Sequence, residues 1–313
     1  MNTVIKPKSR KEWLKEREQG IGSSEVGTIL GLNPWETPYQ LWRRKMGIDP
    51  PKQENFAMRA GHYLEDAVSR FYADETGKDI IKASEGDWLI VSNEKTFMRV
   101  SPDRTFWLPD MPHNRFNKGI LECKTTQMQI DADDLPKHWF CQLQYQLGVA
   151  ELPVGALAWL TAGREFGYKD IAFDAEFFGW MAEEVEKFWI DHIVNKQEPA
   201  ATEVTDIIMK YPKHQQGATL QADSQLLLAY EELKALKTEK GNAEARIKEL
   251  EDMFKMAMGE CESVTNAEGK TLCTWKAANP SFTFDAKALQ KAEPDIYERY
   301  QIEKAGTRRF LLK

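Results

Sequence analysis

With 313 residues, 42% of them hydrophobic and 29% charged, the chain can bury a sizeable core and has the composition of an ordinary soluble protein. No run is apolar and uncharged enough to span a bilayer, and the first residues lack the apolar stretch of a secretory signal, so a cytoplasmic protein without membrane contact is expected. The scattered cysteines Cys123, Cys141, Cys261 and Cys273 contain no C-x-x-C pair, which speaks against zinc or iron–sulfur centres, and the formal net charge of -7 leaves nucleic-acid binding to local basic patches.

In chain order, residues 9–20 read as a basic helix, with Ser23 or Ser24 as the N-cap of the next one. Thr37-Pro38 opens another helix ending near Gly47. Apolar residues spaced by three and four over residues 54–77 predict a long amphipathic helix stopped by Gly77. Strand patterns follow at 80–83, 88–91, 97–100, 104–108 and 119–124, read as neighbours in one sheet. Residues 137–150 predict a helix, 154–161 and 167–173 strands, and 175–195 a helix, completing a mixed α/β domain over 1–205. The remainder, 206–313, reads as an extension: one long helix or a hairpin broken near Gly241-Asn242 over 224–258, a β-hairpin over 261–275 turning at Glu268-Gly269, and a tail ending in a strand around Arg308-Arg309-Phe310.

Chemistry concentrates in Gly119-Ile120-Leu121-Glu122-Cys123-Lys124. Strand alternation puts Glu122 and Lys124 on one face and Leu121 and Cys123 on the other. Upstream, Ser101-Pro102-Asp103 ends a strand with a carboxylate at a separation that suits an adjacent strand. Asp103, Glu122 and the backbone carbonyl of Cys123 are hard oxygen donors suited to Mg²⁺ or Mn²⁺, and Lys124 is placed to orient water or steady a phosphate. Acidic-x-Lys also occurs at Glu232, Glu268 and Asp285, but only Glu122 lies in an apolar strand preceded by a strand ending in Asp. The commonplace alternative, a surface salt bridge on an edge strand, fits that context poorly.

Further candidates surround this trio. His62 and Glu65 lie one helical turn apart, and Glu65 is a candidate for a second metal site. Within 138–146, Gln142 and Gln144 cannot face the same way, so one of them, with Tyr145 or His138, is expected at the site. Arg17 with Ser23 and Ser24 forms a candidate phosphate cradle.

Taken in order, Arg17, Gly22-Ser23-Ser24-Glu25-Val26, Gly61-x-x-x-Glu65, Ser101-Pro102-Asp103, Leu121-Glu122-Cys123-Lys124 and Gln142-Leu143-Gln144-Tyr145 resemble the YqaJ-like viral recombinase family, the phage lambda exonuclease branch of the PD-(D/E)xK nucleases. The resemblance spans residues 10–195. It implies a restriction-endonuclease-like core, a central mixed sheet flanked by helices, and Mg²⁺-dependent digestion of the 5′ strand of linear duplex DNA that leaves 3′ overhangs for phage-type recombination. It further implies a trimeric ring around DNA, a single-strand annealing protein as partner, and the cytoplasm of a bacterial host. By motif, Asp103, Glu122 and Glu65 would hold metal, Lys124 would be the catalytic lysine, Arg17 and Ser24 would take the 5′ phosphate, and Gln144 with Tyr145 would line the site.

Two other readings use the same residues. A DNA endonuclease would share the chemistry and differ in substrate geometry; a DNA-end or annealing-protein adaptor would not require Glu122 and Lys124 on one strand face.

Overall fold

The structure is a computed structural model describing residues 2–50, 53–81, 89–304 and 306–313. The chain divides into two compact units, residues 1–210 and 211–313.

The first unit runs β1 (Thr3–Ile5), α1 (Arg10–Glu18), β2 (Ile21–Gly22), α2 (Ser23–Ile29), α3 (Pro38–Lys45), α4 (Phe56–Thr76) and β3 (Ile80–Ile81). It continues with β4 (Leu89–Val91), β5 (Met98–Val100), β6 (Arg104–Trp107), β7 (Lys118–Thr126), α5 (Lys137–Ala150), β8 (Val154–Thr161) and β9 (Glu165–Ala172). α6 (Ala175–Phe188), a π-helical stretch (Trp189–Val194) and α7 (Val204–Lys210) close it. Local chemistry sets many of these ends. The side chains of Ser9, Thr37 and Asn55 accept hydrogen bonds from the first turns of α1, α3 and α4. Gly77 takes the left-handed conformation, φ 67°, that terminates α4.

Two sheets form. A five-stranded mixed sheet has the order β3-β6-β7-β8-β9; β7 and β8 are parallel and joined by the crossover helix α5, and the other pairs are antiparallel. The second sheet, β1-β4-β5-β2, corrects the expectation of one continuous sheet over residues 80–124. β4 and β5 instead pair with segments from the start of the chain, Val4 opposite Ile90 and Ile21 opposite Met98. Such short strands carry no sequence mark of a distant partner. Of the strands expected at 80–83 and 88–91, residues 82–88 lie outside the described residues.

β7 is sandwiched between helices. Leu121 and Cys123 share a core with Val68 and Tyr72 of α4, while Ile120 packs with Leu143 and Leu147 of α5. Burial on both faces explains why Ile120 and Leu121, neighbours on opposite faces, are both apolar. α5 lies so close to β8 that a Cβ at Gly155 would approach Leu143 to 2.7 Å and the Ile120 carbonyl to 3.0 Å. This close seating holds α5 against the sheet.

α7 belongs with the first unit because of Asp206, which is fully buried. Its carboxylate accepts from the Thr37 hydroxyl at 2.7 Å, Gln40 Nε2 at 3.2 Å and the Thr202 N–H at 3.0 Å. Burial raises its pKa, but these donors outweigh burial and hold the group below its ordinary value of 3.8. Asp206→Ala is expected to cost about 3 kcal/mol at pH 7 by urea unfolding. A depressed carboxylate stabilises fully above its unfolded pKa, so the difference between parent and variant should shrink as pH falls below that value.

The second unit contains α8 (Ser224–Met258), β10 (Ser263–Thr265), β11 (Thr271–Thr274), α9 (Ala286–Ala292) and α10 (Pro294–Arg299). α8 is one uninterrupted helix of 35 residues, so Gly241-Asn242 does not break it. The hairpin forms with Gly269 at φ 80° in its turn. The strand expected at the C-terminus does not form; the segment is irregular, and Tyr230 Oη donates instead to the carbonyl of Lys313 at 2.9 Å. Among the described residues no helix is long and apolar enough to cross a membrane.

Candidate active site

The β6–β7 hairpin pairs Arg104 with Leu121, which sets Asp103, just before β6, beside the middle of β7. The Cys123 N–H donates to Asp103 Oδ2 at 2.8 Å. Glu122, only 2% exposed, faces α5 and is held from three directions. Its Oε1 accepts from Lys124 Nζ at 2.7 Å and Gln142 Nε2 at 2.5 Å, and its Oε2 accepts from Gln146 Nε2 at 2.8 Å. Lys124 Nζ also donates to Gln142 Oε1 at 2.8 Å, closing a triangle of Glu122, Lys124 and Gln142.

The electrostatics are those of crowded carboxyl groups. Burial, then Glu122 and Glu65, push the Asp103 carboxyl well above the usual carboxylate range. Burial lowers the Lys124 pKa, but Glu122 and Asp103 outweigh it and the group stays an ammonium ion. Glu65 itself is held by His62, whose Nδ1 lies 2.9 Å from Glu65 Oε1, and His62 Nε2 is 3.5 Å from Glu54.

α5 presents His138, Gln142 and Gln146 at intervals of four on one face. Gln144, two residues from Gln142, points roughly 200° away. It therefore lies on the far side, where Nε2 donates to the Ala172 carbonyl at 2.8 Å and Oε1 accepts from the Asp174 N–H at 2.9 Å. Tyr145 is fully buried with its hydroxyl on the Ile21 carbonyl at 3.3 Å. The placement of Gln144 and Tyr145 at the site is thus corrected: Gln142 and Gln146 occupy it. The four-residue spacing from 142 to 146 was the signal available for Gln146.

The α2 start is the second component. Its N-cap is Gly22 rather than Ser23 or Ser24, because Glu25 Oε2 accepts from the Gly22 N–H at 2.9 Å. Glu25 is anchored in turn by Lys45 at 2.7 Å and Arg44 at 3.2 Å. The two serine hydroxyls are thereby released from capping. Arg17 donates to Ser24 Oγ at 3.2 Å, and Gln146 Nε2 donates to Ser23 Oγ at 3.2 Å as well as to Glu122. One amide group joins the serine turn to the carboxylate. The guanidinium of Arg17 lies over Gly22, where a Cβ would come within 3.1 Å of it.

Both components open into one cleft of about 580 Å³ whose walls include Arg17, Ser24, Glu65, Asp103 and Gln142. Trp13, unremarked in the sequence, also lines it, with Arg10 and Arg17 over its ring at 4.0 and 4.5 Å and its indole N–H on Ser101 Oγ at 3.2 Å. Only the basic character of α1 hinted at this stack.

Among the described residues, no three acidic, histidine or cysteine side chains stand close enough to hold a metal ion by themselves. The donor chemistry still suits one. A carboxylate offers about four lone-pair positions, and three on Glu122 are used. The third donor would come from the main chain. In a strand, N–H and C=O of one residue point to the same side, so the Cys123 carbonyl faces the same edge as its N–H on Asp103.

The first unit thus sets a mixed five-stranded sheet against helices and gathers acidic residues where β6 meets β7. Residues 12–153 match the family model of the YqaJ-like viral recombinase domain. Along nearly its whole length the chain is similar to the uncharacterized protein YqaJ of Bacillus subtilis, with 29% identity over 317 residues covering 97% of this chain and 94% of the relative. Among solved structures, an alkaline exonuclease from Laribacter hongkongensis aligns at TM-score 0.45 and 16% identity, covering 59% of this chain and 93% of that one. A phage-related exonuclease from Haemophilus somnus aligns at TM-score 0.39 and 12% identity, covering 57% and 96%.

Proposed function

We propose that this protein is a metal-dependent exonuclease that digests linear double-stranded DNA in the 5′-to-3′ direction and leaves 3′ single-stranded overhangs for phage-type homologous recombination. The observation that carries this reading is that Asp103 and Gln142, in direct contact with the Glu122–Lys124 pair or its strand, share one cleft with Arg17 and Ser24.

Asp103, Glu122 and the Cys123 carbonyl would hold a Mg²⁺ or Mn²⁺ ion, with Glu65 available to a second, and such ions supply Lewis-acid polarisation of the phosphodiester and of water. Lys124, as an ammonium ion, steadies the developing negative charge and orients water through its free proton. Gln142 and Gln146 hold Glu122 in one rotamer. Arg17 and Ser24 grip the terminal 5′ phosphate by charge-assisted hydrogen bonds, which places a strand end rather than an interior bond at the site. Gln144 and Tyr145 support the scaffold from outside it. As partners we propose DNA ends, further copies of the chain in a ring-shaped trimer and a single-strand annealing protein, in a bacterial cytoplasm; these rest on the family resemblance.

The test is digestion in Mg²⁺ of linear duplexes, with and without 5′ phosphate and labelled at either end, beside a closed circular duplex. The parent should degrade phosphorylated linear ends and spare the circle. Arg17→Ala should reduce the preference for 5′ phosphate over 5′ hydroxyl by roughly 10²-fold. Cleavage of the circle at a comparable rate would replace this reading with an endonuclease.

A further inference from the structure

We propose that Trp35 is a stacking platform for a nucleobase of the digested strand, on the inward side of the bond that is cut. This deepens the proposed function and rests on it.

Trp35 lies on the loop between α2 and α3 and is 71% exposed. Its indole packs edge to face against His138, with ring centroids 5.4 Å apart and planes at 84°. A large ring left mostly in water adds little to the core, yet this one is held in place. Its backbone N–H donates to Asn33 Oδ1 at 3.0 Å, and Asn33 Nδ2 donates to Thr28 Oγ1 at 2.7 Å. The N–H groups of Leu32 and Asn33 both donate to the Gly27 carbonyl, at 2.8 and 3.1 Å. Gly27 in turn lies so close to α5 that a Cβ there would come within 2.7 Å of the His138 Cβ. The loop is thus built onto α2 and α5, and an aromatic ring on a fixed support gives up little conformational freedom when it binds. His138 Nε2 is buried without a hydrogen-bond partner, so the imidazole serves here as a ring rather than as a polar group.

Position selects the ligand. Gln146, Gln142 and His138 follow one another along one face of α5, each about 6 Å from the next at the usual helical rise. Gln146 touches Glu122 and Ser23, next to the Ser24 that Arg17 holds. Gln142 touches Glu122 and Lys124, and His138 touches Trp35. The face therefore runs from the grip on the terminal phosphate, past the carboxylates, to an exposed indole. A strand with its 5′ phosphate at Arg17 and its scissile phosphate at Glu122 carries its following bases toward Trp35. Nucleotides in a stacked strand rise about 3.4 Å each, so a ring one helical turn and one ring contact beyond Gln142 meets a base among the second to fourth. Every base has a π-face, and such a platform accepts any sequence.

The test is gel-shift binding to duplex ends in Mg²⁺ by the full chain carrying Lys124→Ala, which leaves the DNA uncut. Duplexes with a 5′ phosphate carry one abasic site, moved from the first to the sixth nucleotide of the 5′ strand. Loss of one base among the second to fourth should weaken binding by roughly tenfold, the size of one base–aromatic stack, and loss of the sixth should change little. Adding Trp35→Ala should weaken binding of the intact duplex by the same factor and erase the difference between abasic positions, while Trp35→Phe should preserve both. Because the ring is exposed, urea unfolding of Trp35→Ala should match that of its parent. Unchanged affinity of Trp35→Ala for the intact duplex, or an abasic profile that survives Trp35→Ala, would overturn the platform and leave the nuclease reading standing. Failure of the Lys124→Ala chain to bind duplex ends at all would overturn both.

Discussion

Alanine at Lys124 is expected to slow Mg²⁺-dependent digestion of linear duplex DNA by roughly 10³-fold while leaving DNA binding in place. The ammonium group lies 2.7 Å from Glu122 and 2.8 Å from Gln142 and is held protonated by Glu122 and Asp103 despite burial. Its removal takes away a half-buried positive charge next to the place where the phosphodiester would gain negative charge. It leaves Glu122 with its two glutamine donors, so the fold should persist. Glu122→Gln should differ in one respect. It should also abolish digestion, but it strands Lys124 as an uncompensated buried cation and turns an amide donor toward other donors, and should cost about 3 kcal/mol of stability. Initial rates, gel-shift affinity and urea unfolding on the two variants separate these outcomes. Digestion by Lys124→Ala within about tenfold of the parent would remove the lysine from the proposed chemistry.

The two glutamines of α5 should divide cleanly between rate and stability. Gln142→Leu removes the amide that bridges Glu122 and Lys124, and should lower the digestion rate by roughly 10²-fold. Gln144→Leu leaves that bridge untouched. It orphans the Ala172 carbonyl and the Asp174 N–H, which join the end of β9 to the start of α6, and should cost about 2 kcal/mol with little change in rate per folded molecule. Measuring turnover and thermal unfolding on both variants tests the assignment. A folded Gln144→Leu protein without activity would return Gln144 to the site.

How much of this was legible in advance differs element by element. The helix over 137–150 and the strand over 154–161 were readable to the residue, since caps, periodicity and turn residues are contained within their own windows. The partition of strands between two sheets was not. Ile21 and Met98 are neighbours only after a helix-rich segment of chain has folded between them, and nothing local to either records it. Likewise, Ser23 and Ser24 are good N-cap residues taken alone; they lose the cap to Gly22 because Glu25, held by Lys45 and Arg44, reaches back to the Gly22 N–H. Trp13 could not be placed at the cleft from its neighbours, because its partner Ser101 lies far along the chain.

The pairing of Glu122 with Lys124 on one face of β7 is a property of the chain alone: strand alternation is set at every residue by backbone geometry, whatever the strand packs against. So is the division of α5 into a 138–142–146 face and an opposite face bearing 144, which helical periodicity dictates. Which of those faces meets Glu122, however, depends on how the helix is rotated about its own axis. That rotation is decided by Leu143 seated over Gly155 and by Gln144 tied to Ala172 and Asp174, contacts that exist only once α5 has crossed back over the sheet.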